Sequence, residues 1–225
     1  LNLLKRETLM NDKEYKGSVI FSGGPNCSQK VTKFIEKNDL IVAADSGLDN
    51  ALKLGITPDI LIGDLDSISD SGLAWVRENQ IESVKYSEDK DKSDMELSIE
   101  YASENSNSVL LIDSGLGRVD QLFGLFALLG SDKLCSIDCQ AIISNTLITV
   151  VRESRQILKM GSGTVSLFAH IGDAIGVSTS GFRWELSSAT LKPNSTLGLS
   201  NELEGAVGEI KIDSGMLLVI QPNIF

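Results

Sequence analysis

Through the first 150 residues, short apolar runs alternate with segments whose apolar residues recur at helical spacing. The runs SVIFSGG (18–24), DLIVAADSG (39–47), DILIGDLDS (59–67), SVKYSE (83–88), SVLLIDSG (108–115) and CQAIISNT (139–146) read as strands. Between them CSQKVTKFIEKN, SGLDNALKLG, ISDSGLAWVRENQ, SDMELSIEYASEN and VDQLFGLFALLG read as helices. Two of these carry a capping box, Ser46 with Asp49 and Ser93 with Glu96. Near-continuous apolar strands separated by helices predict a parallel sheet covered on both faces. Beyond about residue 155 the pattern changes. GTVSLFAHI, AIGVSTSGF, RWELSSATL, GAVGEIKID and GMLLVIQ are short, β-rich and separated by Gly, Ser, Asn and Pro. They predict a small antiparallel sandwich or barrel. The expected organisation is an α/β unit over 18–150 followed by an all-β unit over 151–225, with 1–17 a loose tail and Met10 a candidate start.

Composition narrows the class. The 225 residues are 42% apolar and 23% charged, as in an ordinary globular protein. No apolar run approaches the roughly 20 residues of a membrane span, and the first residues lack the apolar stretch of a secretory signal. A formal charge of −11 argues against a nucleic-acid binder that uses a broad basic surface. Three cysteines, Cys27, Cys135 and Cys139, form no disulfide framework and predict reduced thiols in a cytoplasm. CSIDC lacks zinc-ligand spacing, and His170 is the single histidine.

The candidate chemistry is carboxylate. In an open α/β sheet ligands bind at the carboxyl ends of the strands, and the aspartates collect there. Asp45 ends one run; Asp64 and Asp66 end the next. Asp89, Asp91 and Asp94 follow the fourth, and Asp113, Arg118 and Asp120 follow the fifth. Paired carboxylates at a strand end repel each other, and a Mg²⁺ that bridges to phosphate oxygens offsets that repulsion. Asp59, Asp70 and Asp89 read as solvated turn residues and Asp49 as a cap. Asp91 and Asp94 precede a helix, where a carboxylate serves either the helix dipole or a site. Gly23–Gly24 and Gly115–Gly117 make turns that either cradle phosphate or simply reverse the chain. Arg118 is a phosphate ligand or half of a surface ion pair. Strand alternation places Phe182 and Trp184 on one face, both in a core or both lining a surface.

Together these motifs resemble a known family. The blocks ADSGLDNALKLGITPDILIGDLDSI, DKDKSDMELSIEYA, GLGRVDQLFGLFALL, SGFRWEL and LGLSNE come in the order found in thiamine pyrophosphokinases. The resemblance runs from about residue 18 to the C-terminus. It implies an N-terminal α/β domain, a C-terminal β domain and a homodimer. It also implies transfer of a pyrophosphoryl group from ATP to thiamine with Mg²⁺, giving thiamine diphosphate and AMP. By motif position it implies a catalytic and metal set of Asp45, Asp64, Asp66, Asp91 and Asp94. Nucleotide contacts would come from Gly23, Gly24, Asp45, Ser67, Gly117 and Arg118. The thiamine site would take Asp120, Gln121, Trp184, Ser200 and Asn201, shared across the dimer interface. The chain departs from the family at Ser46, where many members have Gly, at Leu97, where some have Lys, and at Gln121, where many bacterial members have His. The rival readings are a pyrophosphokinase for another heterocyclic alcohol, of the hydroxymethylpterin type, and a non-catalytic sensor of Mg-nucleotide or thiamine.

Overall fold

The computed structural model describes residues 15–86 and 91–225. The expected tail therefore lies outside the described residues up to position 14, as does Asp89. Six strands form the parallel part of the sheet: β1 (Ser18–Phe21), β2 (Leu40–Ala44), β3 (Ile60–Gly63), β4 (Glu82–Lys85), β5 (Ser108–Asp113) and β6 (Asp138–Ile143). Their helices are α1 (Gly47–Lys53), α2 (Asp70–Asn79), α3 (Asp94–Asn105) and α4 (Val119–Leu129). The strands run β6-β5-β1-β2-β3-β4, so the order reverses between β1 and β5. Both faces of β1, β2 and β3 are buried, which is why their sequences are apolar without alternation.

The sheet does not stop where the sequence pattern changes. β7 (Thr146–Val151) pairs antiparallel with β6; β14 (Leu217–Gln221) pairs with β7 and with β9 (Thr164–Ala169), and β12 (Asn201–Glu202) closes the edge. Ten strands thus form one sheet. A second antiparallel sheet holds β8 (Arg155–Leu158), β10 (Ala174–Ser180), β11 (Ala189–Leu191) and β13 (Val207–Lys211). Alternation along β14 serves two cores: Leu217 and Val219 pack into the sandwich between the sheets, and Leu218 packs with Ile148 and Val150 in the α/β core.

Three local expectations are corrected. CSQKVTKFIEKN forms only a short 3₁₀ turn, Gln29–Phe34: Thr32 Oγ1 bonds back to the Gln29 carbonyl, and Ile35 is extended. Ser93 caps α3 through the Glu96 amide, but Ser46 makes no side-chain cap bond because its backbone (φ −62, ψ 0) is already helical. Phe182 and Trp184 do not share a face. Gly181 has φ +76 and RWELS is irregular up to β11, so Phe182 is buried at 2% exposure while Trp184 stands 52% exposed.

Candidate functional site

A cleft of about 380 Å³ opens at the strand-order reversal. Its floor is the chain leaving β1 and β2 (Ser22, Gly23, Gly24, Ala44, Asp45), with Asp113 from β5. One wall is the start of α3 (Ser93, Asp94, Met95) and another is α4, through Asp120, Gln121, Gly124, Leu125 and Leu128. Asp113 ties β1 to β5: its carboxylate accepts from the Ser22 hydroxyl and from the Gly115 amide. α4 is held from the second unit, where His170 Nε2 donates to the Phe126 carbonyl at 2.7 Å.

Asp45, Asp64 and Asp66 each offer an oxygen within 4.8 Å of the others. Asp45 sits at φ +48 and Leu65, between the other two, at φ +70, conformations uncommon for non-glycine residues. The Ser67 hydroxyl donates to Asp45 Oδ2, while Asp45 Oδ1 is buried without a hydrogen-bond partner. Burial, then the nearby Asp94 and Asp64 charges, raise the Asp45 pKa against the opposing Ser67 hydrogen bond. Three carboxylates converging in this way, from a half-buried Asp45 to an exposed Asp66, fit a hard divalent cation such as Mg²⁺. Asp94 closes the group: a Cβ on Gly63 would lie 3.1 Å from Asp45 Cβ and 3.2 Å from Asp94 Cγ. Gly63, at φ +155, is therefore the spacer that lets the two carboxylates approach. Sequence reasoning passed over Gly63, although an isolated Gly inside an apolar strand is a signal of close approach.

Other expected residues are placed differently. Asp91 is exposed ahead of α3 and is not among the cleft walls. Arg118 forks Asp120, Nε to Oδ1 at 3.1 Å and Nη2 to Oδ2 at 2.6 Å, which lowers the Asp120 pKa. Leu97, at the family's Lys position, is 9% exposed in the α/β core. Gly117 approaches Gln121 Oε1 and Pro25 with room for a Cβ at 3.9 Å from each. Trp184, Ser200 and Asn201 lie in the second unit, outside the cleft walls. Asn201 is buried and grips the Trp184 backbone, donating to its carbonyl at 2.7 Å and accepting from its amide at 3.2 Å. Ser200, at φ +58, donates its amide to Ser166 Oγ. The Arg183 guanidinium stacks 4.7 Å from the Trp184 ring and pairs with Glu202. Among the described residues, no helix is long and apolar enough to cross a membrane.

Comparison with known proteins gives matches along the chain. Residues 31–137 match the family model "Thiamin pyrophosphokinase, catalytic domain", and residues 148–217 match "Thiamin pyrophosphokinase, vitamin B1 binding domain". A curated thiamine pyrophosphokinase from Bacillus subtilis (strain 168) is 25% identical over 207 residues, covering 90% of this chain and 96% of that protein. The crystal structure of the Bacillus subtilis thiamine pyrophosphokinase superposes with a TM-score of 0.84 at 24% identity, over 93% of this chain and all of that one. A thiamin pyrophosphokinase structure from Geobacillus thermodenitrificans superposes with a TM-score of 0.79 at 23% identity, over 91% and 96% of the two chains. The Candida albicans enzyme shares the fold at 14% identity, with a TM-score of 0.78 over 93% and 90%.

Proposed function

Because the chain belongs to the thiamine pyrophosphokinase family, we propose that it transfers the pyrophosphoryl group of ATP to the hydroxyethyl oxygen of thiamine, releasing AMP. The observation that carries this reading is the carboxylate group Asp45, Asp64, Asp66 and Asp94 at the mouth of a cleft whose described walls include no Lys or Arg. Such a cleft repels a triphosphate unless a divalent cation accompanies it. Asp45, Asp64 and Asp66 would hold Mg²⁺, with Asp94 and Asp91 at its margin; the bound ion supplies charge neutralisation on the phosphate oxygens.

The chain's own residues orient the reaction. The Gly23–Gly24 turn, Ser67, Gly117 and Arg118 hold the phosphates, and Arg118 leaves Asp120 to do so. Asp120 and Gln121 then face the thiamine pyrimidine. The thiamine oxygen attacks the β-phosphorus, the bond from that phosphorus to the α,β-bridging oxygen breaks, and AMP departs with that oxygen. The hydroxyl proton passes to a cleft carboxylate, of which Asp94 is placed in the wall. The thiamine site is completed in a homodimer by Trp184, Ser200 and Asn201 of the second subunit. An uncovered apolar strip beside the cleft supports this: Leu116, Val119 and Phe123 are 72%, 67% and 71% exposed, and Trp184 is itself half-exposed.

Product analysis tests the reading. Purified protein with ATP, Mg²⁺ and thiamine is expected to yield thiamine diphosphate and AMP in equal amounts, and neither with EDTA. Binding of thiamine and Mg-ATP without product would sink the enzymatic reading in favour of a sensor. Product only with a different heterocyclic alcohol would overturn the substrate.

A further inference from the structure

Helix α1 lays one face along the segment that follows β1. A Cβ on Gly23 would meet Ser46 Oγ at 2.4 Å, a Cβ on Gly47 would meet the Phe21 carbonyl at 2.0 Å, and Lys53 donates to Asn26 Oδ1 at 2.7 Å. Positions 46, 50 and 53 share that face. At its centre Asn50 is 1% exposed. Its Nδ2 donates to the Ser22 carbonyl at 3.0 Å and reaches the Gly24 carbonyl at 3.4 Å. Its Oδ1 is buried with no hydrogen-bond partner, a cost that an apolar side chain of similar size would avoid.

We propose that Asn50 is a positioning residue of the cleft: it holds the Ser22 and Gly24 carbonyls behind the turn and so aims the Gly23 N–H at a phosphate oxygen of the nucleotide. The described peptide bonds are all trans, so the Ser22 carbonyl and the Gly23 N–H lie in one peptide plane and point in opposite directions. Asn50 stands behind the turn, and Gly23 and Gly24 line the cleft in front of it. Pro25 has no N–H to offer once the Gly24 carbonyl is held. Gly23 is therefore the amide that this anchor directs. The inference rests on the reading of the cleft as a nucleotide site; position 50 lies inside the first family block, and the resemblance gives it no role.

Asn50→Asp removes both donors at nearly constant volume. The expected result is a KM for ATP raised about tenfold, the loss of one hydrogen bond to a charged acceptor, with the KM for thiamine within about twofold of wild type. A second measurement needs no turnover. In wild-type protein the Gly23 amide proton is expected to move downfield in the NMR spectrum on addition of Mg²⁺ with a non-hydrolysable ATP analogue, and in Asn50→Asp it should not. Equal changes in both KM values with a lowered Tm would make Asn50 purely structural and overturn the proposal. A wild-type Gly23 amide that the analogue leaves in place would also overturn it, and this result decides the matter if the variant does not fold. A wild-type shift without thiamine diphosphate formation would uphold the anchor while removing the activity.

Discussion

Gly63→Ala separates the spacing of the carboxylates from their identity. The substitution leaves every aspartate in place but inserts a methyl group 3.1 Å from Asp45 Cβ and 3.2 Å from Asp94 Cγ and Oδ1. Those contacts are a few tenths of an ångström too short, so the two carboxylates must move apart. The backbone at φ +155 adds a penalty of about 1–3 kcal/mol for a residue with a Cβ. For a chain of this size each kcal/mol lowers Tm by about 2–4 °C, so a fall of about 2–12 °C is expected. Activity should fall as well: a 1 Å misplacement in a positioned site costs about 100-fold, so a shift of a few tenths of an ångström is expected to cost roughly 3- to 10-fold. The assay is thiamine diphosphate formation across a Mg²⁺ titration, with thermal unfolding followed in parallel. Turnover at the parental rate with a lowered Tm would refute the claim that the Asp45–Asp94 approach sets the rate. An unchanged Tm would refute the strain argument.

Asp64→Asn should abolish turnover while leaving Tm unchanged or slightly raised, since one of three mutually repelling carboxylates is neutralised; normal activity would remove Asp64 from the metal site. Trp184→Ala and Asp64→Asn, each inactive alone, should recover about a quarter of wild-type activity when refolded together, because half of the sites in mixed dimers are intact. No recovery would place both residues in one subunit's site. Burial pushes the Cys27 thiol up to about 11 and the Cys139 thiol to about 12, whereas Cys135 is exposed. At pH 8 an aromatic disulfide reagent should therefore titrate one thiol in the native protein and three after unfolding. The same shifts destabilise at high pH. Above the ordinary thiol value of 9.0 the unfolded chain loses these two protons and the folded chain keeps them, so Tm should fall as pH rises from about 9 towards 11; a flat Tm over that range would contradict the burial.

Much of the site was legible in the chain itself. Asp45, Asp64 and Asp66 follow runs that can only be buried strands, and a strand end in an open α/β sheet is where ligands bind, so local pattern was enough to bring them together. Ser93 was legible as a cap for the same local reason. Gly63 and Asn50 were not, because their roles depend on atoms distant in sequence: Gly63 on Asp94, Asn50 on the turn after β1. Trp184 was misplaced beside Phe182 because alternation holds only where a ladder forces it, and Gly181 ends the ladder of β10 before that point.

The sequence by itself determined the two kinds of layer, the helices α1 to α4 and the acidic chemistry, since periodicity, caps and strand-end aspartates are local properties of the chain. Tertiary structure decided how the layers join. β14 adds to β7 across some seventy intervening residues, and its alternate side chains enter two different cores. No local pattern encodes that pairing: LLVIQ is apolar on both faces whichever strand it adds to, and only the packed partners on each side select one.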